Sequence, residues 1–171
     1  METIKALREK GEFAGNVFLG GLYTYKYRAL PERSNDNPYF DRFPTTIVTH
    51  KHDSKTFDGI NFNHIDVERR AELLDALKPF FVFRNNKNYF NWKEYNEVKH
   101  LRMYRFAYVC LRRYRLRNCI AGIVKVRDSM WNEVIMERGE SFFSYTQTGA
   151  MSRIKSESVW LDSIRKTRII K

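Results

Sequence analysis

Residues 22–28 read Leu-Tyr-Thr-Tyr-Lys-Tyr-Arg, and this stretch decides the fold class. Three tyrosines alternate with a threonine, a lysine and an arginine between Tyr23 and Arg28. Alternation with a period of two is typical of a strand that has one face in the core. The stretch therefore predicts a half-buried β-strand, and it places the start of a β-rich region near Asn16.

Two more strands are predicted close behind it. A polar loop of turn-forming residues, Pro31–Pro38, precedes a second strand at Phe43–His50. The residues Asp53–Lys55 form a turn, and the apolar positions in Phe57–Phe62 indicate a third strand. Because short connections join antiparallel neighbours, we expect a small antiparallel sheet, either open or curled into a barrel.

Helical spacing begins after this sheet. Asp66 is placed to cap a helix, and apolar residues recur every three or four positions between Val67 and Leu77 before Pro79 ends the pattern. The following segment, Phe80–Asn91, is interpreted as an exposed loop. A long amphipathic helix is then predicted over Trp92–Ile120, with an apolar stripe of Met103, Tyr104, Ala107, Cys110, Leu111 and Tyr114.

The last third is predicted as strands at Ile123–Arg127, Glu133–Glu137 and Ser141–Thr146, with a turn at 138–139 and a final basic segment. The fold class is therefore α+β, with a long basic amphipathic helix and a C-terminal β-hairpin. We expect a single domain of 171 residues. Its parts are an N-terminal arm (1–15), a β-rich part (16–65), a helical part (66–122), a β-hairpin (123–150) and a basic C-terminal tail (151–171).

The composition describes a basic, aromatic-rich chain. Hydrophobic residues make up 43% and aromatic residues 15%, which excludes an intrinsically disordered chain. No apolar run approaches the length of about 20 residues that a transmembrane helix needs, so no membrane partner is expected. The two cysteines, Cys110 and Cys119, are interpreted as reduced residues that pack in the core.

The net positive charge of the chain comes from its C-terminal half. Residues 1–78 hold twelve Lys/Arg and twelve Asp/Glu, whereas residues 79–171 hold nineteen and eight and so carry the whole excess of +11. Residues 99–127 contain nine Lys/Arg and no acid. We predict that this region binds nucleic acid or an acidic protein partner through Lys99, Arg102, Arg105, Arg112, Arg113, Arg115 and Arg117. The other interpretation is a solvated face without a partner.

For the other candidate sites, a structural role is favoured over a functional one. His50 and His52 would share one face of a strand, a geometry that can hold a metal, but surface histidines explain them better. Tyrosines and tryptophans near the arginines could stack on bases, although core packing is favoured for them. Residues 61–64, Asn-Phe-Asn-His, are interpreted as a lock between the third strand and the Asp66 cap. The sequence therefore assigns no catalytic residue, metal ligand or cofactor site.

Short motifs give the chain a resemblance. Residues 38–44, Pro-Tyr-Phe-Asp-Arg-Phe-Pro, and residues 59–64, Gly-Ile-Asn-Phe-Asn-His, are followed by a helix with Arg70 and paired leucines. With Tyr23-x-Tyr25 and the stretch 159–163, these motifs resemble small proteins of large tailed-bacteriophage genomes, T4-like ones included. The resemblance covers about a third of the chain, and it implies a role in the virion or in association with DNA.

Three functions follow as hypotheses. The first is a structural or assembly protein of a tailed-phage virion, at the neck, tail or baseplate, which forms oligomeric assemblies with other virion proteins and also contacts DNA or acidic subunits. Its location would be the virion, and the host cytoplasm during assembly. The second is a sequence-nonspecific nucleic-acid-binding protein of phage replication or packaging. The third is a metal-dependent nuclease that uses Asp53, His64 or Asp66.

Overall fold

The computed structural model describes residues 9, 11–28, 39–84, 87–98, 107, 110–137, 142–145, 150–155, 158–162 and 165. This part of the chain has the predicted α+β class, with antiparallel pairing in its sheets. The strands are β1 (Gly11–Ala14), β2 (Leu22–Tyr27), β3 (Tyr39–Asp41), β4 (Thr45–Lys51), β5 (Thr56–Asn61), β6 (Phe81–Arg84), β7 (Lys87–Phe90), β8 (Leu111–Arg115), β9 (Cys119–Val126), β10 (Phe142–Tyr145) and β11 (Met151–Arg153). The α-helices are α1 (Val67–Leu77), α2 (Trp92–Val98) and α3 (Trp131–Met136), and residues 158–162 are also helical.

The main sheet has six strands in the order β1-β9-β2-β4-β5-β8. The tyrosine-rich stretch forms β2, close to the middle of this sheet, and the two other predicted strands are β4 and β5. Tyr23 and Tyr25 are fully buried, and the intervening Thr24 is buried as well. The strand is therefore covered on both faces over this stretch, whereas its alternation predicted one exposed face.

The sheet is strongly curled. β8 and β9 are joined by the three residues Leu116–Asn118 in a 3-10 turn, yet they lie four positions apart in the strand order. In a flat sheet four spacings amount to about 19 Å, whereas a 3-10 turn rises about 2 Å per residue. The ends of β8 and β9 therefore approach each other only because the sheet bends. No ladder joins β8 to β9 in the described residues, so the barrel alternative is wrong and the sheet stays open.

Apolar residues form two clusters, one on each face of the curled sheet. The inner cluster contains Val17, Tyr23, Tyr25, Val48, Phe57, Tyr114 and Ile123. The ring of Tyr114 lies 5.5 Å from that of Tyr25 and 5.4 Å from that of Phe57, centroid to centroid. The outer cluster packs Leu22, Ile47 and Ile60 of the sheet against the leucines of α1 and against Val134 and Ile135 of α3. Both faces thus have a core, which explains the burial of β2.

A buried arginine joins α1 to α3. Arg70 is 1% exposed, and its guanidinium donates to the carbonyl oxygens of Ile65 (2.9 Å), Ile135 (2.8 Å) and Glu137 (2.7 Å). The last two carbonyls belong to the C-terminal end of α3, where a helix has no backbone donors of its own. The side chain therefore supplies donors that this helix end lacks. Asp66 occupies the predicted N-cap position of α1, but its side chain makes no capping hydrogen bond.

The prediction of one long helix over Trp92–Ile120 is wrong. α2 ends at Val98, residues 107 and 110 are helical, and Leu111–Arg115 forms the strand β8. Helical spacing put Leu111 and Tyr114 on one stripe, but Leu111 packs against the outer cluster and Tyr114 lies in the inner one. Residues three apart face opposite sides of a strand, and pairing with β5 therefore overrides the local pattern. The part 66–122 is accordingly not all helical.

Other boundaries differ for similar reasons. The predicted strand Glu133–Glu137 is the helix α3, because Trp131, Val134 and Ile135 have i, i+3, i+4 spacing that places them on one face. The C-terminal hairpin is formed instead by β10 and β11, which continue into β3 as a three-stranded sheet.

Two segments predicted to lack strands contain them. Phe80–Asn91 is not a loop throughout, because β6 and β7 pair as a hairpin in which Phe81 lies opposite Phe90. Part of the N-terminal arm is the strand β1, which pairs with β9. No helix among the described residues combines the length and apolar character needed to cross a membrane.

Candidate anion-binding surface

The predicted basic residues do not lie together on one helix. Lys99, Arg102 and Arg105 lie outside the described residues. Arg112, Arg113 and Arg115 are on the strand β8, at one edge of the main sheet, and Arg117 is in the turn that follows it. The predicted residues that the structure describes therefore lie on a strand and a turn.

Strand alternation separates these arginines into two groups. Arg112 shares the inner face with Tyr114 and is half-buried, whereas Arg113 and Arg115 are exposed on the other face. The Arg112 guanidinium donates through Nη1 to the Leu111 carbonyl at 2.8 Å, and its Nε is buried without a hydrogen-bond partner. Arg112 therefore belongs to the interior of the fold more than to a binding surface.

Arg113 is held by an ion pair. Its Nε and Nη2 donate to the two carboxylate oxygens of Asp58, at 2.9 Å and 3.3 Å. His52 Nε2 lies 2.7 Å from Asp58 Oδ2. Burial opposes ionisation of Asp58, but hydrogen bonds from Arg113 and His52 outweigh it and hold the pKa of Asp58 below its usual value. This cluster offsets the positive charge of Arg113.

The remaining two arginines join two basic residues from distant parts of the sequence. Arg28 is next to the turn because its backbone N–H donates to the Asn118 carbonyl at 2.9 Å. Lys55 is next to it because the Leu116 N–H donates to the Lys55 carbonyl at 2.8 Å. Both side chains are exposed, as are those of Arg115 and Arg117. We call Arg28, Lys55, Arg115 and Arg117 the basic rim.

Tyr27 fixes the strands beneath the basic rim. Its hydroxyl accepts hydrogen bonds from the backbone N–H of Arg115 (3.3 Å) and from the Asn118 side chain (3.5 Å). Its ring contacts that of Tyr114 edge-on, with centroids 5.1 Å apart. The position of the rim backbone is therefore set by contacts to the inner cluster.

Among the described residues, the carboxylate of Asp53 lies beside the basic rim. Asp53 Oδ1 accepts from the backbone N–H groups of Lys55 and Thr56, both at 2.6 Å, and from the Thr56 hydroxyl at 2.7 Å. These hydrogen bonds, led by that of the Thr56 side chain, lower the pKa of Asp53. No described carboxylate forms an ion pair with Arg28 or Arg117. Among the described residues, the four basic side chains of the rim therefore outnumber this carboxylate.

Sequence patterns could not have indicated Arg28 and Lys55. Both lie in the half of the chain whose net charge is zero, and the contact between Tyr27 and Arg115 spans 88 residues. A basic stretch in the sequence locates Arg115 and Arg117, but only the curl of the sheet brings the other two cations beside them. The predicted basic stretch therefore contains two of the four rim residues, Arg115 and Arg117.

The residues of the third hypothesis are distributed over several elements. Asp53 is in the β4–β5 turn, Asp66 is at the N-cap position of α1, and His64 is 2% exposed in a 3-10 turn. Burial, with further contributions from Arg112 and Arg70, lowers the pKa of His64 well below its usual value. His50 and His52 do lie close, with ring centroids 4.5 Å apart. No group of three or more His, Cys, Asp or Glu in the described part of the chain has an arrangement that could hold a metal ion.

The Asn61–His64 segment was predicted to hold the Asp66 cap, but its side chains bond to Asp41 of β3. Asp41 Oδ2 accepts from the side-chain amides of Asn61 (3.0 Å) and Asn63 (2.8 Å), and Asp41 Oδ1 accepts from the Phe43 N–H (2.9 Å). All three polar side chains are buried. The segment therefore ties the small sheet, through β3, to the end of β5, which supports a structural role.

The aromatic and sulfur-containing candidates also pack in the interior. Tyr95 is 1% exposed and contacts Phe80, so it is not placed to stack on bases, while Tyr104 and Tyr108 lie outside the described residues. Cys110 and Cys119 are unpaired, as predicted, but they belong to different elements. Burial raises the pKa of each thiol to about 12, so neither is an activated nucleophile.

Comparison with models of protein families, with curated proteins and with solved structures gives no significant match for this chain.

Proposed function

We propose that this chain is a structural or assembly protein of a tailed-bacteriophage virion, at the neck, tail or baseplate. It docks through the basic rim on an anionic partner, either an acidic subunit or DNA. The observation that carries this proposal is the clustering of four exposed cations from three distant segments, Arg28, Lys55 and the stretch 115–117.

Preorganisation supports a binding role for the basic rim. Backbone hydrogen bonds at 2.8 Å and 2.9 Å hold two of the segments against the turn 116–118. Binding costs less free energy when the groups that meet the partner are already positioned. Among the described residues no carboxylate forms an ion pair with Arg28 or Arg117, whereas Arg113 pairs with Asp58. These two arginines are therefore the members of the rim best placed to meet an anionic partner.

A subunit of an assembly needs more than one contact surface, and exposed apolar side chains supply a second candidate. Phe13 is 44% exposed on β1, at the sheet edge opposite β8, and Phe18, in the loop that follows β1, is 57% exposed. Aromatic side chains, phenylalanine included, are enriched at protein–protein interfaces relative to the rest of the surface. We assign packing against neighbouring subunits to this end of the sheet.

The phage context rests on the resemblance described above. Its two longest motifs, residues 38–44 and 59–64, contact each other through the carboxylate of Asp41 and the amides of Asn61 and Asn63. Residues that bond across a buried junction are expected to occur together in proteins that share it. This contact is a structural reason for the two motifs to occur together in one protein.

Mass spectrometry of purified particles tests the proposal. The particles are those of the phage that encodes this chain, washed at high salt and separated from free protein on a density gradient. We expect the chain at a fixed number of copies per particle, in a constant ratio to the major subunits. Its absence from washed particles would refute a virion role, and nucleic-acid binding by such a chain would favour the replication or packaging protein of the second hypothesis.

A further inference from the structure

We propose that the basic rim binds the sugar–phosphate backbone of double-stranded nucleic acid. This inference rests on the proposed function and specifies the partner of the same surface. Three of the four cations are arginines, Arg28, Arg115 and Arg117, and all are exposed. A guanidinium can pair with a phosphate through two parallel hydrogen bonds, whereas an ammonium acts as a point charge.

The apolar content of the basic rim favours nucleic acid over an acidic protein. Protein interfaces have a buried centre that is depleted of charge and rich in apolar groups. Interfaces with nucleic acid are more polar and far more positively charged. The apolar residues beneath the rim, Leu116 and Cys119, are half-buried and pack against the inner cluster, and the next residue, Ile120, is 52% exposed. A partner at the rim therefore contacts four exposed cations and the side chain of Ile120.

The geometry also indicates how the nucleic acid is read. Tyr27, an aromatic residue that the structure describes at the basic rim, has its ring against those of Tyr25 and Tyr114, and its hydroxyl accepts from Arg115 and Asn118. It is therefore engaged in the fold and does not offer a stacking surface. Phosphate contacts without stacking or base contacts give no sequence preference. They also remove the gain that aromatic stacking gives to single strands.

Fluorescence anisotropy with a labelled 20-base-pair duplex, titrated with full-length protein between 50 and 200 mM salt, measures the contacts directly. If the four cations each neutralise one phosphate, log K against log salt has a slope of about −3.6, so affinity falls about 150-fold over this range. In the double variant Arg28→Ala/Arg117→Ala we expect a slope of about −1.8 and a fall of about 12-fold.

Two controls give the test its specificity. Lys93→Ala/Lys155→Ala removes the same charge from α2 and from the segment after β11, and both side chains are exposed. We expect it to keep the wild-type slope. Ile120→Ser removes a side chain that is 52% exposed three residues after Arg117, and we expect no change in duplex affinity. A single strand of the same sequence should bind no more tightly than the duplex.

Three outcomes would overturn the inference. They are no duplex binding at 50 mM salt, equal slopes for the rim and control variants, and tighter binding to the single strand. The proposed function is tested separately. If particles contain the chain but the duplex does not bind, the partner of the rim is an acidic subunit and this inference alone fails. If the duplex binds but particles lack the chain, the virion role fails and the phosphate contact stands.

Discussion

Replacing Arg70 by alanine should destabilise the fold by about 3 kcal/mol. The guanidinium is 1% exposed and satisfies three backbone carbonyls, two of them at residues within the outer cluster, Ile65 and Ile135. A buried acceptor that loses its donor costs about 1–3 kcal/mol, so these two carbonyls together cost about 2–6 kcal/mol. The third, at Glu137, can turn to water because that residue is exposed. Release of a buried cation offsets part of the loss, which places the expectation at about 3 kcal/mol, in the lower half of that range.

Urea unfolding, followed by circular dichroism and by tryptophan fluorescence, measures this loss. Arg69→Ala is the matched control, because Arg69 is on the same helix and half-exposed, with an ion pair to Glu72 at 3.5 Å. An exposed i, i+3 pair contributes less than about 0.5 kcal/mol. Lysine at position 70 cannot direct donors to three separated carbonyls, so Arg70→Lys should also lose most of the stability. A change below about 1 kcal/mol in Arg70→Ala would refute the role assigned to this side chain.

Three further predictions concern the sheet and its junctions. The pKa of Asp58 is lower in the folded state than its unfolded value near 3.8, so the stability that Asp58 contributes is present above that value and is lost as pH falls through the folded-state pKa. The free energy of unfolding of Asp58→Asn, measured with urea, should therefore fall less steeply below about pH 4 than that of the wild type. Equal steepness in the two proteins would contradict this. A Cβ at Gly59 would lie 2.2 Å from Thr46 Cγ2 and 2.8 Å from the Ile47 carbonyl oxygen. Gly59→Ala should thus cost about 1–3 kcal/mol by overpacking, measured as a lower urea midpoint, and a neutral effect would show that the strands can move apart. Asn63→Ala removes a side-chain amide that donates to the buried Asp41 and should cost about 1–3 kcal/mol, with faster exchange of the Phe43 amide by NMR. Stability equal to the wild type would show that the junction is not held by this bond.

Local patterns were enough to predict the elements that form from adjacent residues. The alternation of Tyr23–Arg28 predicted β2, and the apolar spacing between Val67 and Leu77 predicted α1. Both patterns repeat within one element, which is what a sequence window records. The alternation did not show that β2 is covered on both faces, where Thr24 is buried as well as Tyr23 and Tyr25. The same reasoning found β4 and β5, whose turn is fixed locally by Asp53.

The elements that were missed depend on contacts between distant residues. Leu111–Arg115 fits a helical stripe as well as a strand, and the pairing of Tyr114 with Phe57 decides between them. For α3 the helical spacing was present, but the short segment resembled a strand in composition. The basic rim was half-predicted for the same reason, since Arg28 and Lys55 reach it only through the curl of the sheet. A count of charged residues along the sequence does not show which of them the fold brings together.

The central claim is that the basic rim docks this chain in a virion. Its most direct test is quantitative mass spectrometry of particles from phages that carry Arg28→Glu/Arg117→Glu, or Lys93→Glu/Lys155→Glu as a control with the same change in net charge. Both variants are first shown to fold with the wild-type urea midpoint. We predict that the rim variant falls at least about tenfold in copies per particle, as expected when two attractive contacts become repulsive, while the control keeps the wild-type number. Wild-type copy number in the rim variant would contradict the account.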